Sequence, residues 1–194
     1  MHYMLIKNAI NLIVTALILL TPNIALSESP ENVKIDFGSP KEANNWVIVN
    51  DTVMGGRSAA QIAVTDDKLF FFGLLSLENN GGFASVRRVG DPKNWQSEHP
   101  LMVTLKGDGR AYQFRVRTSN GFNSVAYVAN FKTSDKEQTL RFETSDFIPQ
   151  WRGRRITNAP RLDFADIRQI GVMLADKTPG TFTLALTTIS QVSE

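Results

Sequence analysis

The chain has 194 residues, 21 basic and 19 acidic side chains, two histidines and no cysteine. So balanced a charge lacks the large one-sided basic excess that a nucleic-acid face requires. With no thiol and so few imidazoles, disulfide staples and transition-metal sites built from several His or Cys ligands are excluded within one chain.

At the N-terminus Lys7 is the only charged residue before Glu28. An apolar run over 9–20, broken only by Asn11 and Thr15, is followed by Pro22 and by the small-residue site Ala25-Leu26-Ser27. The run falls short of the roughly 20 residues that span a bilayer. The segment lacks the arginines of a mitochondrial transit peptide and the cysteine of a lipoprotein anchor. These features predict a cleavable export signal over 1–27 and a periplasmic or secreted mature chain from about Glu28, at most peripheral to a membrane. Removing it takes Lys7 and His2 and leaves 20 basic against 19 acidic groups, a net charge of about +1. Residues 28–194 suit one domain, long enough to bury roughly 70% of the unfolded surface. Residues 28–32 (ESPEN) read as an entry tail.

From there alternation of period two dominates. Val33, Ile35 and Phe37 alternate with polar neighbours, and Trp46 to Val49 continue as a β-like run. KLFFFGLLSL (68–77) is apolar on both faces, as in a central strand covered by a loop. Leu101, Val103 and Leu105 alternate again, then Tyr112, Phe114 and Val116 against Gln113, Arg115 and Arg117. Val125, Tyr127, Ala129 and Phe131 follow, then Leu140 and Phe142, the apolar run 170–174, and TFTLALTTI at 181–189. Only 164–168 suggests a short helical turn. Nine or ten strands separated by Asn/Asp/Gly turns predict an all-β sandwich or barrel with one buried face per strand.

Three loops share one chemistry: NDTVMGG (50–56), ENNGG (78–82) and KGDGR (106–110). Glycine reaches positive φ at no steric cost, and Asx side chains bond the backbone two residues on, so turn chemistry explains them. None has the spacing of a P-loop or a dinucleotide fingerprint. Val53-Met54 adds an apolar pair to the first loop, expected to tuck it onto the core. Recognition by this loop is the competing reading, because function concentrates on positioned loops.

QWRGRR (150–155) sets three arginines beside Trp151. Flanking Glu143, Asp146 and Asp163 favour a solvated, salt-bridged loop over a nucleic-acid grip. Trp95 and Trp151 are the loop aromatics available as a sugar-stacking platform, whereas Tyr112 and Tyr127 fall on buried positions. His99, in SEHPL, has no nucleophile elbow nearby and reads as an exposed loop histidine. Asp51 and Asp108 would serve as a hydrolytic carboxylate pair only if about 5 Å apart for a retaining mechanism, or within about 10 Å for an inverting one. No EF-hand spacing marks a Ca²⁺ site. Neither a catalytic residue, a metal site nor a cofactor is assigned.

Beyond these readings, NDTVMGGRS, FFGLLSLENNGGFASVR (71–87), GDGRAYQFRVRT (107–118), DFIPQWRGR (146–154) and IGVMLADKTPGTFTLALTTI (170–189) occur in one order. Together they resemble the complex I intermediate-associated protein 30 family over nearly the whole mature chain. The resemblance implies a galactose-binding-like jelly roll, similar in shape to carbohydrate-binding modules. It also implies a non-enzymatic assembly-factor or chaperone-like role with protein partners, such as a membrane-complex assembly intermediate. A carbohydrate-binding module outside the cytoplasm, with a glycan ligand, is the alternative. The motif residues carried over as a shared partner or ligand surface are Asn50, Asp51, Met54, Gly55, Gly56, Arg57, Gly81, Gly82, Phe83, Asp108, Arg110, Trp151, Arg152 and Arg154.

Overall fold

A computed structural model describes residues 33–89 and 94–191. The export signal expected over 1–27 and the entry tail expected over 28–32 lie outside the described residues.

Thirteen strands run in the order β1 (Lys34–Asp36), β2 (Trp46–Asn50), β3 (Ala59–Thr65), β4 (Lys68–Leu75), β5 (Ala84–Arg88), β6 (Leu101–Gly107), β7 (Ala111–Arg117), β8 (Ala126–Lys132), β9 (Gln138–Phe142), β10 (Ile148–Trp151), β11 (Arg154–Arg155), β12 (Gln169–Leu174) and β13 (Gly180–Ser190). Each alternating segment read from the sequence contains a strand, although Val33 and Phe37 flank β1 and Val125 precedes β8. The strands that alternation did not mark are β3, whose AAQIAVT is only weakly apolar, β5, and the short hairpin strands β10 and β11. The helical turn expected at 164–168 is a single 3-10 turn over Phe164–Asp166.

The strands form two antiparallel sheets. One has the order β3-β4-β13-β6-β9, with β1 also pairing on β13; the other has the order β11-β10-β8-β7-β12-β5-β2. The eleven residues of β13 serve two neighbours on one side: Gly180 to Leu186 pair with β4, and Thr188 to Ser190 with β1. A register shift between Leu186 and Thr188 against β6 marks the changeover. Side chains on successive strand residues face opposite ways, so each sheet sends every second residue inward. Leu69, Phe71, Leu105, Leu184 and Leu186 from one sheet meet Phe114, Val116, Val172 and Leu174 from the other, all at most 1% exposed.

Aromatic contacts tie the layers. Phe114 lies 5.1 Å from Phe142, Phe142 lies 5.9 Å from Phe147, and Phe147 lies 5.8 Å from Phe164. Each such pair adds about 0.5–1.5 kcal/mol beyond its buried area. Trp95 corrects an expectation: it is not a loop platform but a core residue, 4% exposed. Its loop is fastened by Gln191, which accepts from Gln96 N–H at 2.6 Å and donates to the His99 carbonyl at 2.6 Å. Strand β4 is central, as expected. Its outer-face Phe70 and Phe72 are nevertheless only half-buried, in an open depression of about 480 Å³ shared with Ala63 and Thr183. The covering loop expected there is not found among the described residues.

Candidate functional site

The Gly-rich loops are organised by one carboxylate. Strand β2 ends at Asn50, and a 3-10 turn over Asp51–Met54 closes at Gly55, whose φ of 90° suits glycine. Asp51 opens that turn and is fully buried. Its Oδ1 accepts from Ser58 N–H at 2.9 Å. Its Oδ2 accepts from the Ser58 hydroxyl at 2.6 Å, from Gly82 N–H at 2.6 Å and from Phe83 N–H at 3.3 Å. The backbone adds to this, with Asp51 N–H donating to the Phe83 carbonyl at 3.2 Å and Gly56 N–H to the Asp51 carbonyl at 3.0 Å. Burial alone would raise the Asp51 pKa. The Ser58 hydroxyl and the three backbone donors override it and hold the carboxyl below its ordinary value.

Two glycines are explained by the same group. A Cβ on Gly56 would sit 2.4 Å from Asp51 Oδ1, and one on Gly81 would sit 2.6 Å from Oδ2. NDTVMGG and ENNGG are therefore two halves of one clamp, and Asn79 adds a side-chain bond to the Gly55 carbonyl at 3.1 Å.

A second clamp holds the next loop. Arg110 donates to Asp176 through Nε at 3.0 Å and Nη2 at 2.7 Å, a bidentate pair with both side chains 13% exposed. The same guanidinium reaches the Thr181 carbonyl at 3.0 Å and the Thr178 carbonyl. Asp108 accepts from Thr183 N–H at 2.8 Å and from the Tyr112 hydroxyl at 3.1 Å. Burial and the neighbouring carboxylate push that hydroxyl well above the ordinary tyrosine range. The 175–180 connection meets the first clamp, since a Cβ on Gly82 would lie 3.0 Å from Lys177 Nζ.

Loops 50–57, 78–83 and 107–110 thus gather at one end of the sandwich. Trp151, Arg152 and Arg154 do not join them. Their pairing places β10 and β11 at the far edge of the seven-stranded sheet and toward its opposite end, where Gln150 faces Ala126. The segment is a tight hairpin, with Arg152 and Gly153 both at positive φ, rather than a salt-bridged loop. Arg152, Arg154 and Arg155 form no ion pair among the described residues, and Arg152 lies over the Trp151 ring at 4.8 Å.

The carried-over residues divide by exposure. Asp51, Gly56 and Gly82 are interior clamp parts, and Asn50, Gly81 and Phe83 are partly covered. Met54 is 69% exposed and its neighbour Val53 64%. The apolar pair therefore points to solvent, contrary to the expectation that it tucks inward. The turn is closed by Gly55 N–H on the Thr52 carbonyl at 3.1 Å and Gly56 N–H on the Asp51 carbonyl at 3.0 Å, and within it Asp51 alone is buried. Arg57 stands beside it, paired with Glu78 at 3.2 Å on the surface.

As a hydrolytic pair Asp51 and Asp108 fail on accessibility. Asp51 has no exposed surface and its oxygens are filled by protein donors. No group of three or more His, Cys, Asp or Glu side chains suited to a metal ion occurs among the described residues. His99 is partly covered in its loop, with no hydrogen bond to its ring among them.

The motif reading passed over one cluster. Arg87, Arg115 and Arg117 lie on the outer face of the seven-stranded sheet and are each only 7–8% exposed. QFRVR reads as a half-buried strand with a wet face, so only the cross-strand register could reveal them.

Comparison with known proteins matches residues 35–186 to the model of the family described as Complex I intermediate-associated protein 30. The chain belongs to that family. It is 26% identical over 180 residues to an uncharacterised protein of Schizosaccharomyces pombe, covering 80% of this chain and 82% of that one. It is 23% identical over 175 residues to the mitochondrial complex I intermediate-associated protein 30 of Mus musculus, covering 77% of this chain and 52% of the mouse protein. The chain thus spans about half of that relative. In fold it resembles a family 11 carbohydrate-binding module from Clostridium thermocellum solved with a mixed-linked tetrasaccharide. The TM-score is 0.60 at 15% identity, over 84% of this chain and 95% of the module. An agarase gives a TM-score of 0.55 at 12% identity over 84% of this chain and 25% of the enzyme. These likenesses show a jelly-roll β-sandwich fold, in agreement with the galactose-binding-like fold expected from the sequence.

Proposed function

We propose that the protein is a non-enzymatic binding protein of assembly-factor type, exported from the cytoplasm, that holds a protein partner at its Gly-rich loop end. The observation that carries this is the exposure of Val53 and Met54 on a turn whose two ends are fixed by Asp51. An apolar pair displayed on a rigid support loses little conformational entropy on binding, which is how preorganised contacts gain affinity. Arg57 and Glu78 supply a polar rim beside it. Family membership supports an assembly role, and the partner class carried over with it is a membrane-complex assembly intermediate. Export rests on the leader-like run over 9–20 and the site at Ala25-Leu26-Ser27. Crosslinking in native envelope, from position 54 with Val53→Asp and from position 53 with Met54→Asp as the disrupting variants, tests the docking claim. Loss of one specific adduct in both variants supports it, and an adduct pattern indifferent to them rejects it.

A second reading, a glycan-binding module, is favoured by the half-buried Phe70 and Phe72 in the depression on the six-stranded sheet. Aromatic faces on an open sheet suit stacking against a sugar ring. Glycan-array binding abolished by Phe72→Ala would replace the first reading, and a blank array would remove the second.

A further inference from the structure

Registers across the seven-stranded sheet put an unusual row of charge on its outer face. Gly171 on β12 lies opposite Arg115 on β7 and opposite Arg87 on β5. Arg117, two positions beyond Arg115, faces the same side and lies opposite Gln169. A Cβ at Gly171 would meet the Val86 carbonyl at 2.4 Å, so the middle of the row has no side chain.

None of the three arginines forms an ion pair with an Asp or Glu of the described residues. Arg87 donates to Gln169 Oε1 at 3.2 Å and to the Phe122 carbonyl at 3.3 Å, with its guanidinium 5.0 Å from the centre of the Phe122 ring. Arg115 donates to Gln113 Oε1 at 2.6 Å. Nε of Arg115 and Nε of Arg117 are buried without a partner, and the Arg117 side chain makes no hydrogen bond among the described residues, its backbone carbonyl accepting from Arg168 N–H at 2.7 Å. Burial, and then the charge of Arg87, bring Arg115 down to about 10; burial, then Arg87 and Arg115, bring Arg117 down to about 9.

A buried, uncompensated guanidinium is costly, and apolar residues of similar volume usually serve a sheet face as well or better. Three side by side, with donors unused, need another account. What would complete them is an acceptor with several oxygens and negative charge, the group that guanidinium forks recognise in bidentate fashion. The surroundings fit. Trp151 Nε1–H donates to the Asn123 carbonyl at 3.1 Å, tying the Arg152–Gly153 hairpin to the loop that carries Phe122 over Arg87. Exposed Arg152, Arg154 and Arg155 on that hairpin add positive potential at the rim, which draws anions inward.

We propose that this outer face is a binding site for an oxyanion-bearing ligand, its carboxylate or phosphoryl group seated among Arg87, Arg115 and Arg117. The site is separate from the Gly-rich loop end and stands whether or not a protein docks there.

Calorimetric titration with inorganic phosphate and with trigalacturonate tests it, maltotriose being the neutral control. These arms separate a phosphoryl from a carboxylate source. The full mature chain should bind at least one anionic probe and not maltotriose. Arg117→Gln and Arg115→Met should each weaken that binding about tenfold or more, the loss expected for a charged hydrogen-bond partner. Thermal melts without anion supply a readout that a structural role would move the other way: Arg115→Met should melt no lower than the parent chain. No binding of either anion, or binding undiminished in both variants, overturns the proposal. So does failure of both variants to fold, which would make the arginines structural.

Discussion

Asp51 Oδ2 lies 2.6 Å from the backbone nitrogen of Gly82, a bond that spans 31 residues and joins the NDTVMGG and ENNGG loops. One buried carboxylate therefore decides the shape of a whole end of the sandwich, and its removal has a calculable sign.

Replacing Asp51 by Asn keeps the volume but removes the charge and turns an amide donor toward other donors. Hydrogen bonds to charged groups contribute about 1.5–3 kcal/mol each, and several are lost together, so a loss above about 3 kcal/mol is expected by urea denaturation. The pH dependence follows from the lowered pKa. The contribution is complete above the unfolded value of about 3.9 and fades as pH falls through the lower folded value. Asp51→Asn should therefore show a flatter acid limb than the parent chain below about pH 4.

Gly56→Ala and Gly81→Ala should each destabilise, because their Cβ atoms would overlap the Asp51 carboxylate at 2.4 and 2.6 Å. Overpacking of this kind costs about 1–3 kcal/mol. Gly56→Ala made on an Asp51→Gly background should cost less, since the clash is with the Cβ, Cγ and Oδ1 atoms of that side chain. Equal costs on both backgrounds, read in a double-mutant cycle, would show that the glycines answer to backbone geometry instead.

Arg110→Gln should cost about 3 kcal/mol, because it leaves the mostly buried Asp176 without its bidentate partner. The Arg110→Gln/Asp176→Asn double variant should recover part of the loss. Denaturation of the four proteins measures the coupling.

Trp95→Ala should lower stability by about 3–5 kcal/mol, as core aromatics do. Trp151→Ala should change it by less than about 1 kcal/mol, because that ring is 44% exposed. Thermal melts of the pair separate a core tryptophan from a surface one.

The sequence reading reached the sandwich because Phe114 and Val116, or Leu184 and Leu186, bury every second residue, a signal contained in each strand. It missed β3, where alanine and glutamine blur the alternation. The chemistry of NDTVMGG and ENNGG was legible as turns, yet their common partner was not. The bonds from Ser58, Gly82 and Phe83 to Asp51 depend on chain segments brought together only by folding. The arginine row was hidden for the same reason. Arg115 and Arg117 look like the wet face of one strand until Gly171 and Arg87 are placed beside them.

Docking through the Val53–Met54 turn is tested most directly by placing a photocrosslinker at position 54 of the chain and irradiating in native envelope. A single dominant protein adduct is expected, lost on Val53→Asp and kept on Phe72→Ala. An adduct that survives Val53→Asp, or none above the level of a crosslinker placed at exposed Lys136, would contradict the account.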